Sequence, residues 1–138
     1  MKYMLMMHAP KEGWTNAGIG TWPKEAIHAH IAFMIGLNKR LKASGEFVDA
    51  QGLAGPEEAK VVRARKDGTP DTDGPFAEAK ETIGGYFLLK VASLDEAVAI
   101  AKECPGLPHG IRVEVRAIAG ECPAAVEARA ETQQLANA

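Results

Sequence analysis

Hydrophobic and polar positions along this chain follow two periods, and the switches between them predict the elements. Lys2 to His8 reads as a first strand: Lys2, Met4, Met6 and His8 share one face, and Tyr3, Leu5 and Met7 the other. Apolar residues on both faces suit a central strand covered on two sides. From Ala9 to Trp22 the periodicity stops in a run of Gly, Thr and Asn that carries Trp14 and Trp22. A loop of this length suits a lid or a binding loop, and the tryptophans could cap a pocket or pack onto the protomer or its partner. Pro23 then opens a helix that runs to Ser44, with Gly45 as its C-terminal stop. At 100° per residue, Ile27, Ile31, Met34, Leu37 and Leu41 form one apolar arc, with His30 and Asn38 inside it and His28 at its edge.

Period two returns at Glu46 to Leu53, which places Phe47, Asp49, Gln51 and Leu53 on one face and Val48, Ala50 and Gly52 on the other. Asp49 and Gln51 are polar residues at mid-strand, so they must be paired, solvated or turned toward a polar cavity. Ala59 to Arg65 and Thr69 to Thr72 flank an Asp67-Gly68 turn and read as a hairpin. Gly84-Gly85 suits a bulge or a close backbone approach before the strand Tyr86 to Val91. Ser93-Leu94-Asp95-Glu96 is a capping box for a helix ended by Cys104-Pro105-Gly106. Ile111 to Ile118 is a regular strand, and Pro123 to Leu135, rich in Ala and Glu, predicts a marginal helix that forms only where it packs on something. The domain thus spans 1–120, with a tail over 121–138.

The order strand, helix, strand, hairpin, strand, helix, strand is that of a ferredoxin-like α+β unit with an inserted hairpin. Two helices cover only one face of its sheet, which leaves the other face to meet a second sheet in a homodimer. A chain of 138 residues fits one domain and can bury about 68% of its unfolded surface without staples. Charge narrows the partners: 16 basic and 18 acidic residues are interspersed, for a formal net charge of -2. Such a field attracts neither nucleic acid nor an anionic membrane. Cys104 and Cys122 belong to no C-x-x-C pair, which argues against a zinc site, a redox motif or a disulfide framework. The amino terminus has too short an apolar stretch for a signal peptide or membrane span, so a cytoplasmic protein without cofactor is expected.

The chemistry-bearing stretch is Asp73-Gly74-Pro75-Phe76-Ala77-Glu78-Ala79-Lys80-Glu81. Gly74 and Pro75 make a fixed corner just before a strand, and a fixed corner can aim Asp73, Glu78, Lys80 and Glu81. Solvated charges on a well-made turn are the plainer reading. His28 and His30 lie about 200° apart on a helix and so cannot chelate one metal. His30 is then either a core imidazole held by a backbone carbonyl or a proton-transfer group facing a cavity between helix and sheet.

The run DGPFAEAKE, the glycine pair before an aromatic strand, Leu94-Asp95-Glu96-Ala97 and Val113-Glu114-Val115-Arg116 resemble the DGPF branch of the YCII-related proteins, from about Lys2 to Ile118. The resemblance implies a ferredoxin-like protomer that pairs into a dimeric α/β barrel, with the hairpin as an elaboration absent or reduced in short relatives. It also implies an inward-facing histidine of the first helix working with a nearby aspartate, for which His30 is the best match. His30, Asp73 and Asp49 are accordingly the candidate catalytic residues, and His8, Lys80, Glu81 and Arg116 the candidate substrate-binding ones. Three functions follow. One is an acid/base lyase or isomerase on a small organic substrate. The second is a ligand-binding or regulatory module, since DGPF proteins are often encoded beside or fused to extracytoplasmic-function sigma factors. The third is a structural dimer.

Overall fold

The structure, a computed structural model, describes residues 1–10, 22–55, 58–73 and 81–138; the side chains of Pro10, Asp73 and Glu81 also fall outside the description. Its elements are β1 (Lys2–Pro10), α1 (Lys24–Ser44), β2 (Phe47–Gly52), β3 (Val61–Ala64), β4 (Pro70–Asp73), β5 (Glu81–Lys90), α2 (Leu94–Lys102), β6 (Arg112–Ala117) and α3 (Pro123–Ala136). Four strands form an antiparallel sheet in the order β2-β5-β1-β6, and β3 and β4 form a separate two-stranded sheet. Each helix α1 and α2 links two strands that flank a third, which is the ferredoxin-like arrangement with an inserted hairpin. The sheet is open, with β2 and β6 at its edges, and one chain closes no barrel.

Local chemistry places the element ends. Gly45 takes φ 78°, and the amides of Gly45 and Glu46 reach back to Lys42 O and Leu41 O, so α1 stops and turns directly into β2. Ser93 Oγ accepts from the Glu96 amide at 3.2 Å while Glu96 Oε2 accepts from the Ala92 amide at 3.1 Å, the reciprocal cap expected at the start of α2. The β3–β4 turn rests on Gly68 at φ 86° and on Asp67, whose carboxylate accepts from the amide and hydroxyl of Thr69.

The core lies between the helices and one sheet face. Tyr3 and Leu5 of β1, Phe87 and Leu89 of β5, Leu37 and Leu41 of α1, and Ala97 and Ala101 of α2 are its buried members. Across the tops of the helices, Arg40 donates to Glu103 at 2.6 Å, an exposed pair that adds little. The other sheet face carries Met4, Met6, Leu88 and Tyr86, flanked by Asp49 and Gln51 on β2 and by Arg112, Glu114 and Arg116 on β6.

Four sequence expectations change. The first strand extends to Pro10, and β5 begins at Glu81, so the Gly84-Gly85 irregularity sits inside the strand as a register shift opposite Met7 and His8. Gly85 is needed there: a Cβ would stand 2.8 Å from Gln51 O. The arc of α1 is rotated, with Ile31 48% exposed and Phe33 packed against the core instead. A bulge between Phe47 and Asp49 flips parity in β2, so Phe47 packs with the core while Asp49 and Gln51 face the open side. Finally, α3 is helical although none of its residues is buried.

Candidate active site

Of the candidate groups, His30 lies where α1 approaches the turn before β6. His30 lies on the sheet-facing strip of α1, in line with Met34, Leu37 and Leu41. Measured from Gly45, it is 15 residues back along α1, about 22 Å, while Gly52 is seven residues forward along β2, about 23 Å. His30 therefore lies toward the end of β2 where Gly52 pairs with Gly85. Its ring meets Trp22 edge to face at 5.6 Å between centroids, and Trp22 stacks on His109 at 4.8 Å and 24°. A Cβ on Gly106 would stand 2.6 Å from Ile111 Cδ1 and 3.2 Å from the Trp22 ring, so the turn before β6 has no room for a side chain there. His30 Nδ1 is buried and has no hydrogen-bond partner among the described residues, and burial lowers the imidazole pKa. The imidazole is thus held neutral, with a buried nitrogen unmet.

The outcome for the other candidates is mixed. Asp49 does not join His30. Its Oδ2 accepts from Tyr86 Oη at 2.8 Å and its Oδ1 from Gln51 Nε2 at 3.4 Å, on the far face of the sheet, because the β2 bulge turned it there. The bond to Asp49 in turn pushes the Tyr86 phenol up. His8 Nε2 lies 3.1 Å from Glu114 Oε1, also on the open face, and Arg116 Nε lies 3.8 Å from Glu114 Oε2. His8, Glu114 and Arg116 form one polar border along β1 and β6, separated from His30 by the sheet. Lys80 lies outside the described residues, as do the side chains of Asp73 and Glu81; the Asp73 backbone ends β4 and that of Glu81 begins β5. The expected fixed corner at Gly74-Pro75 falls there too, as does Trp14.

Sequence reading left the role of Trp22 open and missed His109 altogether. The available signal was position: His109 lies three residues before β6, whose first residues pair with the end of β1. Trp22 is expected to shield His30. Trp22→Ala should move the His30 pKa up toward its ordinary value of about 6.5, read from the imidazole proton shift against pH, and Trp22→Phe should move it less. A titration identical to wild type would assign the desolvation to α1 and the sheet alone.

A ferredoxin-like α+β unit with an inward-facing histidine on its first helix is the class of protein these features define. The chain belongs to the YCII-related domain family, whose match covers residues 1–119. It is 31% identical over 107 residues to an uncharacterized protein of Rhizobium meliloti, spanning 74% of this chain and 86% of that one. Among solved structures it is similar to 5-chloro-2-hydroxyhydroquinone dehydrochlorinase from Burkholderia phenoliruptrix in complex with 2,5-dihydroxybenzoquinone. That likeness has a TM-score of 0.47 and 14% identity, over 88% of this chain and 96% of that chain. Among the described residues no helix is long and apolar enough to cross a membrane.

Proposed function

We propose that this protein binds a small organic molecule between α1 and the sheet and moves a proton on it with His30, as a lyase or isomerase does in its first step. One observation carries the reading: His30 Nδ1 is buried without a partner in an imidazole kept neutral by desolvation. A neutral imidazole is a competent base at neutral pH, and an unmet buried nitrogen costs about 1–3 kcal/mol unless something binds to it. Asp73 is the aspartate proposed to orient or assist it, since Asp49 is committed to Tyr86 on the other face. Lys80 and Glu81 remain the proposed substrate-binding groups.

We assign the chain to the DGPF branch of its family on the Asp73–Glu81 motif, and we propose a homodimer joined through the open sheet face. Met4, Met6 and Leu88 there are half-buried, Ile83 is exposed, and no helix covers them. Such a face is stable when it meets a second sheet. His8, Glu114 and Arg116 would then line the barrel interior. Sedimentation at micromolar concentration should give twice 14.7 kDa, and a clean species of 14.7 kDa overturns the dimer.

The acid/base reading is tested by proton NMR of a panel of small enolisable carbonyl compounds in D2O. Deuterium wash-in that depends on His30 is expected for at least one, and its absence across the panel leaves the site a binding site only.

A further inference from the structure

Two buried side-chain polar atoms lack any hydrogen-bond partner among the described residues, His30 Nδ1 and Thr82 Oγ1. They come from elements 52 residues apart in sequence, and the register turns both toward the layer between α1 and the sheet. In β5, Gly85 is buried on the helix side opposite Met7; the extra residue at the bulge is Gly84; Ile83 then pairs with His8 on the open face, and Thr82 pairs with Ala9 on the helix side. Thr82 therefore faces the same interlayer as His30, roughly 7–10 Å beyond the Gly52–Gly85 level along the strand. Two glycines lie between them. Gly85 can carry no side chain, and nothing among the described residues lies within 4 Å of where a Cβ on Gly52 would stand.

Each atom limits what could satisfy it. A hydroxyl such as that of Thr82 donates and accepts, and a neutral imidazole nitrogen does one or the other according to tautomer. A neutral hydroxyl on a ligand satisfies either atom in either tautomer, because it can donate and accept in turn. A carboxylate only accepts, and as a buried charge it would need a cation, which neither atom supplies. The separation along the strand is too long for one oxygen to bridge with two hydrogen bonds of about 2.8 Å.

We infer that Thr82 is a further ligand-binding residue: its hydroxyl and His30 Nδ1 hold the two ends of one small, neutral molecule, with a hydroxyl toward His30 and a second hydroxyl or a carbonyl toward Thr82, lying over the Gly52–Gly85 floor. This rests on the reading of His30 as the centre of the site and adds the ligand's class and its second anchor. Without ligand, the Thr82 hydroxyl is a buried group with no partner, so removing it relieves a cost rather than creating one.

The test uses resorcinol as the difunctional probe, phenol as the monofunctional one and succinate as the anionic one. Binding is followed through the imidazole nitrogen resonances of His30, assigned with His30→Gln. Resorcinol should shift them in the wild type and in Thr82→Ser, bind about five- to tenfold more weakly to Thr82→Val, and exceed phenol by a similar factor. Thr82→Val without ligand should melt about 3 °C higher than the wild type. Gly52→Leu should block the probe while remaining folded. Resorcinol that moves His30 equally in wild type and Thr82→Val overturns the role of Thr82 and leaves the His30 site standing. Binding that leaves His30 unmoved, absence of binding by resorcinol, or a preference for succinate overturns the inference together with the site on which it rests.

Discussion

Phe87→Ala is expected to destabilise the protein by about 3–5 kcal/mol, the upper range for truncating a buried aromatic side chain. Phe87 is 1% exposed on β5, the strand that pairs with both β1 and β2, and its Cα partners are Leu5 and Ala50. Leu89 lies two residues along on the same face, and Leu37 and Leu41 belong to the same core. Little around it can collapse into the space. The strands on either side are held by ladder hydrogen bonds, and α1 is tied to β2 by only Gly45 and Glu46. The cost should therefore contain most of the cavity contribution as well as the lost transfer free energy. Urea unfolding followed by circular dichroism measures it, with Val62→Ala as the control: Val62 is 67% exposed on the β3–β4 hairpin and should cost less than about 0.5 kcal/mol. A Phe87→Ala loss no larger than the control's would mean that the helix layer does not close over β5 in solution.

The second large effect is chemical. If His30 moves the proton, His30→Gln should lower deuterium wash-in by about 10²–10⁴-fold, the usual contribution of a positioned acid or base. Glutamine keeps a polar group of similar size in the interlayer, so the fold should persist and the loss should appear in turnover. The pH dependence follows from the direction of the shift. Burial lowers the His30 pKa, so the neutral base survives below the ordinary histidine range, and exchange should fall only on the acid side of about 6.5. Stability moves in the same sense. The unfolded chain takes up a proton near its ordinary pKa and the folded chain only lower, so this group's contribution is full above that window and is lost as pH falls through it. In His30→Gln that part of the acid-side slope should vanish. Exchange that persists undiminished in His30→Gln would remove the base from the mechanism, and an acid limb above the ordinary histidine range would assign it to another group.

Much of the architecture was legible in the chain because local signals and global order agree. Ser93 and Glu96 cap α2 as their spacing requires, Gly45 ends α1, Asp67-Gly68 makes the hairpin turn, and the alternation of Val113 and Val115 with Glu114 and Arg116 sorts β6 into two faces. These are near-neighbour effects, in which a residue's own backbone preference or its partners three or four positions away settle the outcome. Placing His30 on the inward strip of α1 follows from the 3.6-residue period in the same way.

What the tertiary structure decided is parity and proximity. A bulge after Phe47 turned Asp49 to the far face of the sheet and gave it to Tyr86, and the shift at Met7 and His8 set Thr82 on the helix side; no local preference announces either, because a one-residue slip depends on the partner strand. The rotation of the α1 arc from Ile31 to Phe33 is likewise set by where the sheet lies beneath it. The meeting of Trp22, His30 and His109 needs β6 to pair beside β1, a contact between chain segments some eighty residues apart. By itself the sequence determined which elements form and which histidine faces inward. Only the packed sheet decided which polar groups share that histidine's side, since strand register is fixed by pairing across the sheet rather than by the residues of one strand.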